Sequence, residues 1–367
     1  MALCVGCKGC KRDCPTGVDM ARMKLEFMAH YKARHGYTLK DRLVAHLPDY
    51  AALASRMPWL LNLRNSLPGA PWLGERLLGL SAQRTLPRWR SDTYWRSQPK
   101  HAAKGAATIS RDEALARAAA GHKVAVLFVD TFNGTFESEN AFAALRVLQA
   151  AGYAVHSPSP VGGAHLCCGR TFLACGMVDA AKARAGALLD ALLPLAKAGI
   201  AIVGLEPSCL LTLRDEALVM GLGDKAQVVA GQALLFEEFV AREARAGRFD
   251  ARFRSAPASI LLHGHCHQKA FDAVSPILEV LRLIPGAEPQ LIESSCCGMA
   301  GSFGYEAEHF EVSMQMAEAS LLPAVRQQAD AIVVADGTSC RHQIADGASR
   351  QAVHAARLLA DLLIVGD

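Results

Sequence analysis

Two cysteine patterns carry most of the chemistry that this sequence could perform. The first lies at the start of the sequence and has the spacing C-x2-C-x2-C-x3-C-P, formed by Cys4, Cys7, Cys10 and Cys14 before a proline. Thiolates spaced in this way on a tight loop can bind the corners of a [4Fe-4S] cube. The second is a cysteine pair followed by glycine, which occurs at residues 167–169 and again at residues 296–298. Both patterns predict iron–sulfur or other soft-metal binding and a role in electron handling.

The N-terminal run is complete as a motif but supplies only part of a site. In two-cluster ferredoxins the fourth cysteine of each run binds the other cluster. We therefore expect Cys4, Cys7 and Cys10 to hold one cluster and Cys14 to be directed towards a second. The sequence has no second run of this kind, so we expect the partner run on another polypeptide or on a longer form of this chain. By itself the loop is predicted to hold a labile or three-iron cluster rather than zinc or a disulfide.

Four cysteines in the second half of the sequence lie in three loops that each follow a predicted strand. Thiolates from separate loops can enclose a cluster that no short run could surround. Histidines beside them could bind the metal directly or hydrogen-bond its sulfur ligands. The candidate metal ligands are Cys266, Cys296, Cys297 and Cys340, and the accompanying histidines are His263, His265, His267 and His342.

The first half offers a poorer set, because no cysteine stands where Cys266 stands in the second half. Three interpretations remain open: buried thiols of a vestigial site, a mononuclear zinc or iron site, and a cluster completed by another side chain. Zinc favours four nitrogen or sulfur ligands, which three cysteines and one histidine could supply. We expect this half to bind metal less tightly than the second. Its candidate ligands are Cys167, Cys168 and Cys209, with Asp130, His165 and Cys175 as further candidates.

Short apolar strands alternate with helical stretches from about residue 120, which predicts parallel sheets with helices on both faces. Strands are predicted at residues 124–129, 154–156, 200–205, 260–263, 290–292 and 331–335. Helices are predicted at residues 18–34, 137–151, 178–197, 269–283 and 306–328, the last bent or broken near Pro323, with a final helix to about residue 363.

The cysteine loops recur after about 130 residues, which indicates an internal repeat. The predicted fold class is therefore α/β, with two similar cysteine-rich halves that follow a partial helical ferredoxin segment. Matching loops at the carboxyl ends of parallel strands are where such sheets place their chemistry. The expected segments are residues 1–35 (ferredoxin type), 36–120 (connector), 121–255 (first half) and 256–367 (second half).

The connector contains all four tryptophans of the sequence, together with prolines that permit only short helices. Two interpretations are open for it. The tryptophans could pack on the main domain as part of an ordered connector, or they could form a docking surface for a partner or a membrane face. The tryptophans are Trp59, Trp72, Trp89 and Trp95.

Composition excludes several functions. A net charge of +4 gives no case for nucleic-acid binding, and the sequence has no apolar run long enough to span a membrane. It has no G-x-G-x-x-G or Walker motif after a strand and no recognisable Ser–His–Asp set. Twelve cysteines without an export signal predict thiolates for metal or redox work in a reducing cytoplasm. The periphery of the inner membrane is compatible with this location.

Taken together, these residues resemble the cysteine-rich (CCG) portion of bacterial FAD-linked oxidases of the D-lactate and D-2-hydroxyglutarate dehydrogenase type. Related proteins are the iron–sulfur subunit of glycolate oxidase and the cysteine-rich subunits of anaerobic glycerol-3-phosphate dehydrogenase and of heterodisulfide reductase. Unlike the last of these, neither half has a closing C-x-x-C, since Thr212 and Gln343 occupy those places. The matching stretches are residues 4–23, 206–216, 263–270, 296–305 and 337–344.

The resemblance implies an iron–sulfur electron-transfer module of a flavin-dependent 2-hydroxyacid dehydrogenase. FAD on a partner domain or subunit would accept electrons from a D-lactate, glycolate or D-2-hydroxyglutarate substrate, and this chain would pass them to a quinone or another carrier. It implies a [4Fe-4S] cluster, with a second cluster or zinc in the CCG region and no catalytic residue on this chain. The alternatives are a thiol or heterodisulfide reductase and a zinc-stabilised docking scaffold.

Overall fold

The computed structural model describes residues 1–103, 105–158 and 165–364. Before the first sheet the chain forms short helices, as the prolines predict, around one longer helix that Asp19 caps by accepting a hydrogen bond from the backbone of Arg22. These elements are α1 (Gly9–Asp13), α2 (Met20–His35), α3 (Leu39–Ala45), α4 (Leu47–Ala54), α5 (Pro58–Ser66), α6 (Ala70–Leu78), α7 (Tyr94–Ala102) and α8 (Arg111–Ala119).

The first half contains a four-stranded parallel sheet in the order β2-β1-β3-β4. All five residues of its central strand β1 are buried, as expected where helices cover both faces of a sheet. The elements are β1 (Val124–Phe128), α9 (Thr131–Thr135), α10 (Ser138–Ala150), β2 (Ala154–His156), α11 (Arg170–Ala174), α12 (Val178–Lys197), β3 (Ala201–Gly204), α13 (Pro207–Arg214), α14 (Glu216–Val219), α15 (Asp224–Gln232), β4 (Ala233–Leu235) and α16 (Phe236–Arg245).

The second half repeats this arrangement, with the parallel order β6-β5-β7-β8. The two sheets confirm the predicted α/β fold with similar halves. The elements are β5 (Ile260–Leu262), α17 (Cys266–Ala270), α18 (Ser275–Leu281), β6 (Gln290–Leu291), two 3-10 turns (Phe303–Tyr305 and Ala307–His309), α19 (Phe310–Glu318), α20 (Leu321–Gln327), β7 (Ile332–Val334), α21 (Thr338–Ala348), β8 (Ala352–Val353) and α22 (Ala355–Asp361).

The two halves share one hydrophobic core. Helix α10 of the first half packs on α22 of the second, and α16 of the first half packs on α18 of the second. Side chains from all four helices, such as Leu145, Phe239, Ile277 and Leu359, are buried in a single cluster. The carboxyl ends of both sheets, and the loops that follow them, therefore lie in fixed positions relative to each other.

Two predicted helices were wrong as single elements. The stretch 269–283 is divided into α17 and α18, because the backbone turns at Asp272, whose φ is 54°. The stretch 306–328 starts with a 3-10 turn and breaks at Ser320, three residues before Pro323, which itself lies inside α20. Strands β4 and β8 were not predicted, because runs of three and two residues carry too little periodicity to be recognised.

The four tryptophans of the connector divide into two pairs. Trp89 packs edge-on against Phe136, and Trp95 stacks on His165, so this pair joins the connector to the first half. Trp59 and Trp72 are 68% and 60% exposed, on helices that also expose several leucines. None of the described helices is long and apolar enough to span a bilayer.

Candidate metal centre

A continuous line of thiols connects the three cysteine loops of the second half. Cys266 hydrogen-bonds to Cys296, and Cys296 to Cys297, whose sulfur lies 3.4 Å from that of Cys340. Contact with the Cys296 thiol, followed by burial, raises the pKa of Cys266 well above its ordinary value. Thiols this close and this buried can ionise together only when a cation compensates their charge. This donor set fits a metal ion or an iron–sulfur cluster.

His263 supplies the nitrogen ligand that this thiol group could use. Its imidazole lies with the sulfurs of Cys297 and Cys340 in a group whose ligand atoms are all within 4.8 Å of one another. Its Nδ1 is 2.9 Å from the hydroxyl of Ser294, whereas its Nε2 is buried without a hydrogen-bond partner. Metal-binding histidines are commonly held through the second ring nitrogen in this way. The Nε2 of His263 could therefore bind a metal ion together with these sulfurs.

The other three predicted histidines have partners elsewhere. His265 caps α17, where its Nδ1 accepts a hydrogen bond from the backbone N–H of His267. The Nε2 of His267 lies 3.1 Å from the carbonyl oxygen of Gly6, and His342 pairs with the hydroxyl of Tyr305. These contacts position the loops around the thiols, and none of them places an imidazole on the sulfurs.

The glycine of each cysteine pair is required by helix packing. Gly298 and Gly169 both have φ of +84°. A Cβ on Gly298 would lie 2.2 Å from the backbone oxygen of Ser313, and one on Gly169 would lie 2.6 Å from that of Ala181. Each glycine also donates its N–H to the first cysteine of its pair, at 3.4 Å to Cys296 and 3.3 Å to the equivalent sulfur. The glycine thus brings the cysteine pair against α19 in the second half and against α12 in the first.

Gly298→Ala should lower the free energy of unfolding by about 3 kcal/mol or more, since it adds a backbone clash to an unfavourable φ. Urea unfolding measures the loss. Gly301→Ala is the matched control, because its φ is +66° but a Cβ there would meet no atom within 4 Å. Equal losses for the two variants would show that φ alone, and not the approach of the helix, requires glycine at position 298.

The first half has a similar line of thiols, but no cysteine there corresponds to Cys266, the first thiol of the line in the second half. Cys167 hydrogen-bonds to Cys168, and Cys168 to Cys209. Both carboxylate oxygens of Asp130 already accept hydrogen bonds at the start of α9, with Asn133 binding each of them. Cys175 lies apart from the line, in a separate apolar cluster beneath α3. Within the described part of the chain, the first-half thiols do not gather into a compact group of three or more ligand atoms.

The N-terminal cysteine loop lies directly against the thiols of the second half. Helix α1 packs on α17, and the contact between His267 and Gly6 joins the same two segments. Burial raises the pKa of Cys7, and the charges that raise it further are those of Cys266, Cys10 and Cys4. Cys266 thus acts on Cys7 electrostatically, as Cys4 and Cys10 of the N-terminal run do.

Cys14 is bound differently from the rest of its run. Its sulfur lies 3.1 Å from the hydroxyl of Thr16. This contact, with backbone N–H groups of Val18 and Thr16, lowers the pKa of Cys14 to about 7. These contacts favour the thiolate form of Cys14, and its role towards a second cluster stays a prediction.

A buried ion cluster fixes the N-terminal loop to the first half. Lys8 is 1% exposed, and its ammonium contacts Asp215 and lies 2.9 Å from Glu216. Arg170 reaches the same Glu216 at 2.6 Å and also approaches His267. Burial lowers the pKa of Lys8, but the negative charge of Glu216 and Asp215 outweighs it and raises the pKa overall. Both halves therefore hold this loop, the first through Lys8 and the second through His267. The residues of the Lys8–Asp215 pair are about 200 positions apart, and sequence analysis did not reveal this contact.

A second buried pair joins the halves beside the thiols. The guanidinium of Arg341 binds the carboxylate of Glu137, which also accepts a hydrogen bond from Thr338 at 2.9 Å. Glu206 reaches across as well and accepts the backbone N–H of Thr338 at 2.9 Å. Burial would raise the pKa of Glu137, but Arg341 outweighs it and holds the value at about 2.

Acid should weaken this junction. Because the pKa of Glu137 is lowered in the folded state, its contribution is complete above the unfolded value near 4.5 and is lost as the pH falls towards about 2. We expect Glu137→Gln to lower the free energy of unfolding by about 3 kcal/mol at neutral pH. Between pH 5 and pH 3, the free energy of unfolding of this variant should fall less steeply than that of the wild type. Urea unfolding at several pH values measures both. Glu139→Gln, on the more exposed side of α10, is the control and should lower the free energy of unfolding at neutral pH by about 1 kcal/mol or less.

One further buried acidic group is not placed to bind metal. Glu237, Asp336 and His354 offer ligand atoms within 4.8 Å of one another. However, the single lone pair of His354 Nδ1 already accepts the N–H of Ala356 at 3.0 Å, and its Nε2 lies 3.1 Å from the carbonyl of Leu205. Burial, followed by the charge of Asp336, raises the pKa of Glu237 well above its ordinary value.

Comparison with known proteins agrees with this architecture. Residues 260–345 match the family model described as CCG, a cysteine-rich domain, which covers β5, β7 and all the thiols of the second half. The second half is therefore a CCG-type cysteine-rich domain.

Over most of its length the chain is similar to two kinds of dehydrogenase. It is 27% identical to the D-2-hydroxyglutarate dehydrogenase of Pantoea ananatis over 348 residues, and 26% identical to that of Escherichia coli over 354 residues. It is also 26% identical, over 332 residues, to one subunit of the anaerobic glycerol-3-phosphate dehydrogenase of Escherichia coli. These matches confirm the predicted resemblance to the cysteine-rich portions of such enzymes.

The matches differ in how much of each relative they cover. They include 94% of this chain but 32% of each D-2-hydroxyglutarate dehydrogenase, and 89% of this chain with 78% of the glycerol-3-phosphate dehydrogenase subunit. The chain thus spans about a third of the length of the D-2-hydroxyglutarate dehydrogenases that it matches.

Proposed function

We propose that this chain is the iron–sulfur electron-transfer module of a flavin-dependent 2-hydroxyacid dehydrogenase. In this role it is an oxidoreductase component that accepts electrons from FAD on a partner domain or subunit and passes them to a quinone or another carrier. D-2-hydroxyglutarate, D-lactate and glycolate are the substrate class, and the substrate binds on the partner. The similarity to D-2-hydroxyglutarate dehydrogenases and to one subunit of a glycerol-3-phosphate dehydrogenase supports this proposal.

The observation that carries the proposal is the contact between the two cysteine groups. Cys7 in the N-terminal loop is an electrostatic neighbour of Cys266, and helices α1 and α17 pack together around them. Groups in contact of this kind exchange electrons without a diffusing carrier. A chain whose cysteines only stabilised the fold would not need its two groups beside each other.

We assign the ligands of each centre as part of this proposal. Cys4, Cys7 and Cys10 hold a [4Fe-4S] cluster, and Cys14 extends towards a second one. Cys266, Cys296, Cys297 and Cys340, with His263, hold the metal or cluster of the second half. When bound, these groups supply one-electron redox chemistry. Lys269, whose ammonium lies among the carbonyls of the Ser294 loop, places positive charge beside this anionic sulfur group. In the first half, Cys167, Cys168 and Cys209 have no fourth ligand among the described residues, so we assign them no cluster.

Metal and sulfide analysis of the chain purified without oxygen tests the proposal. We expect iron and labile sulfide, visible absorbance, and an electron paramagnetic resonance spectrum of the reduced protein that is broadened by interaction between two neighbouring centres. Reduction by the flavin partner with its hydroxyacid should then bleach the absorbance. Zinc without sulfide, or two centres that show no interaction, would contradict the proposal.

A zinc-stabilised docking scaffold is the second candidate, and the group of His263, Cys297 and Cys340 favours it, because zinc accepts mixed nitrogen and sulfur ligands. The same metal analysis separates the two. A thiol or heterodisulfide reductase is less well supported, because Cys296 and Cys297 are 5% and 3% exposed and a disulfide could not reach them. Turnover of a disulfide without a flavin partner would favour that alternative.

The proposed location is the cytoplasm, at the periphery of the inner membrane, where a quinone could accept electrons. The exposed Trp59 and Trp72, on helices that also expose several leucines, suit contact with a membrane face or with the partner. Binding of the chain to vesicles that contain anionic lipids, and its loss in a Trp59→Ser/Trp72→Ser variant, would test the membrane contact.

A further inference from the structure

A cavity lies between the connector and the first half, away from the thiols of the second half. Its volume is about 470 Å³ and it opens to solvent. The residues that line it are Ala52, Arg56, Thr93, Trp95, Arg96 and His165. The electron-transfer role described above uses none of them.

Two guanidinium groups in this cavity lack acidic partners. Among the described residues the Arg56 side chain makes no ion pair or hydrogen bond, and that of Arg96 makes a single long contact, 3.5 Å to the carbonyl oxygen of Ser55. Other arginines of the connector and the first half pair with a carboxylate, as Arg90 does with Asp92 and Arg170 with Glu216. The cavity therefore holds positive charge that the protein itself does not neutralise.

The start of helix α7 adds further donors. Thr93 is its N-cap residue, but the Thr93 side chain makes no capping hydrogen bond. The first N–H groups of a helix have no acceptor within the helix, and they carry partial positive charge. Trp95 and Arg96 belong to this first turn and both line the cavity. The first turn of α7 and the side chain of Arg96 thus border the same cavity.

His165 forms the inner wall and has an unused nitrogen. It is 8% exposed, stacks on the Trp95 ring at 3.7 Å between centroids, and its buried Nδ1 has no hydrogen-bond partner among the described residues. An unpaired polar nitrogen at this depth is unfavourable unless a ligand or a water satisfies it.

We infer that this cavity binds a small organic or inorganic oxyanion, with Arg56, Arg96 and the start of α7 as its donors. Guanidinium groups pair in a fork with carboxylate and phosphate oxygens, and helix N-termini favour the same groups. A neutral ligand would leave both guanidiniums unpaired. The Trp95–His165 stack provides a flat apolar wall for the carbon chain of a dicarboxylate. This site goes beyond electron transfer and does not depend on it, since no cluster ligand lines the cavity.

Titration calorimetry of the full chain at low ionic strength tests the inference, with glutarate as a dicarboxylate and inorganic phosphate as the two probes. We expect one saturable site per chain for at least one probe, and the probe that binds identifies the carboxylate or the phosphate form of the site. Absence of saturable binding by both would overturn it. Metal content is measured in parallel, so that loss of clusters and loss of anion binding are distinguished.

Variants locate the site. Arg96→Gln and Arg56→Gln should each weaken binding about tenfold or more, because each removes a charge-assisted pair. Arg88→Gln is the control, since Arg88 is an exposed arginine of the same connector that does not line the cavity. Ala52→Phe should block binding by filling the space without a change of charge. Circular dichroism confirms that each variant is folded. Equal weakening by Arg88→Gln, or unchanged binding in a folded Ala52→Phe protein, would contradict the inferred site.

Discussion

Cys297→Ser should remove one whole metal equivalent from the protein, whereas Cys168→Ser should remove less or none. Cys297 occupies the centre of the thiol line, with Cys296 on one side and Cys340 at 3.4 Å on the other, and His263 nearby. Its loss divides the ligand set into two parts that are too small to retain a metal. Cys168 holds the same place in the first half, but no fourth ligand among the described residues completes that line.

The comparison is informative because the two cysteines are matched. Both are fully or almost fully buried, both precede a glycine with φ of +84°, and both follow the second strand of their sheet. Iron, zinc and sulfide determination on the two variants and the wild type measures the difference. Equal losses from the two substitutions, or no loss from Cys297→Ser, would show that the second half is not the principal metal site of the pair.

Lys8→Met should release the N-terminal loop from the main domain at a cost of about 3–5 kcal/mol in docking free energy. Removal of one partner of a buried ion pair leaves the other charge without its counterion. The free-energy cost of that buried charge exceeds the net stabilisation that the pair provides. Here Asp215 is 3% exposed and would lose its closest cation, and Glu216, which is 4% exposed, would keep only Arg170, at 2.6 Å. Hydrogen exchange of the amides in α1 measures the docking directly.

The control for this change is Lys11→Met. Lys11 also reaches Asp215, at 3.2 Å, but its side chain is 34% exposed and water can replace it. We expect a loss below about 1 kcal/mol for this variant. If Lys8→Met left exchange in α1 unchanged, the ion cluster would not be what holds the loop, and the contact between His267 and Gly6 would have to suffice. The broadening of the paramagnetic resonance spectrum should fall in parallel with docking.

Sequence reasoning predicted the features that repeat or that depend on local pattern. The apolar runs around residues 124–128 and 201–204 gave the central strands, and the recurrence of the cysteine pairs gave the two halves. Helix α12 has the predicted bounds, because its twenty residues carry a clear apolar face. Short edge strands and the turn at Asp272 carry no such pattern, so they were missed.

The candidate site was predicted in outline but not in its particular contacts. Spacing alone placed Cys266, Cys296, Cys297 and Cys340 together, since loops after parallel strands meet at one edge of a sheet. Which of four histidines faces the sulfurs depends on the hydrogen bonds of each ring, and these involve Ser294, Gly6 and Tyr305. Likewise, the partners of Lys8 lie about 200 residues away, where no local pattern indicates them.

The packing between the halves has the form of a symmetric dimer interface inside one polypeptide. Helices α10 and α18 follow the first strand of their respective sheets, and α16 and α22 follow the last. The contact of α10 with α22 is therefore repeated, with the halves exchanged, in the contact of α18 with α16. Such reciprocal contacts define an isologous interface. Duplication and fusion of a dimeric ancestor would leave this pattern, and fusion frees each copy to change on its own, so that one keeps its metal ligands while the other loses them.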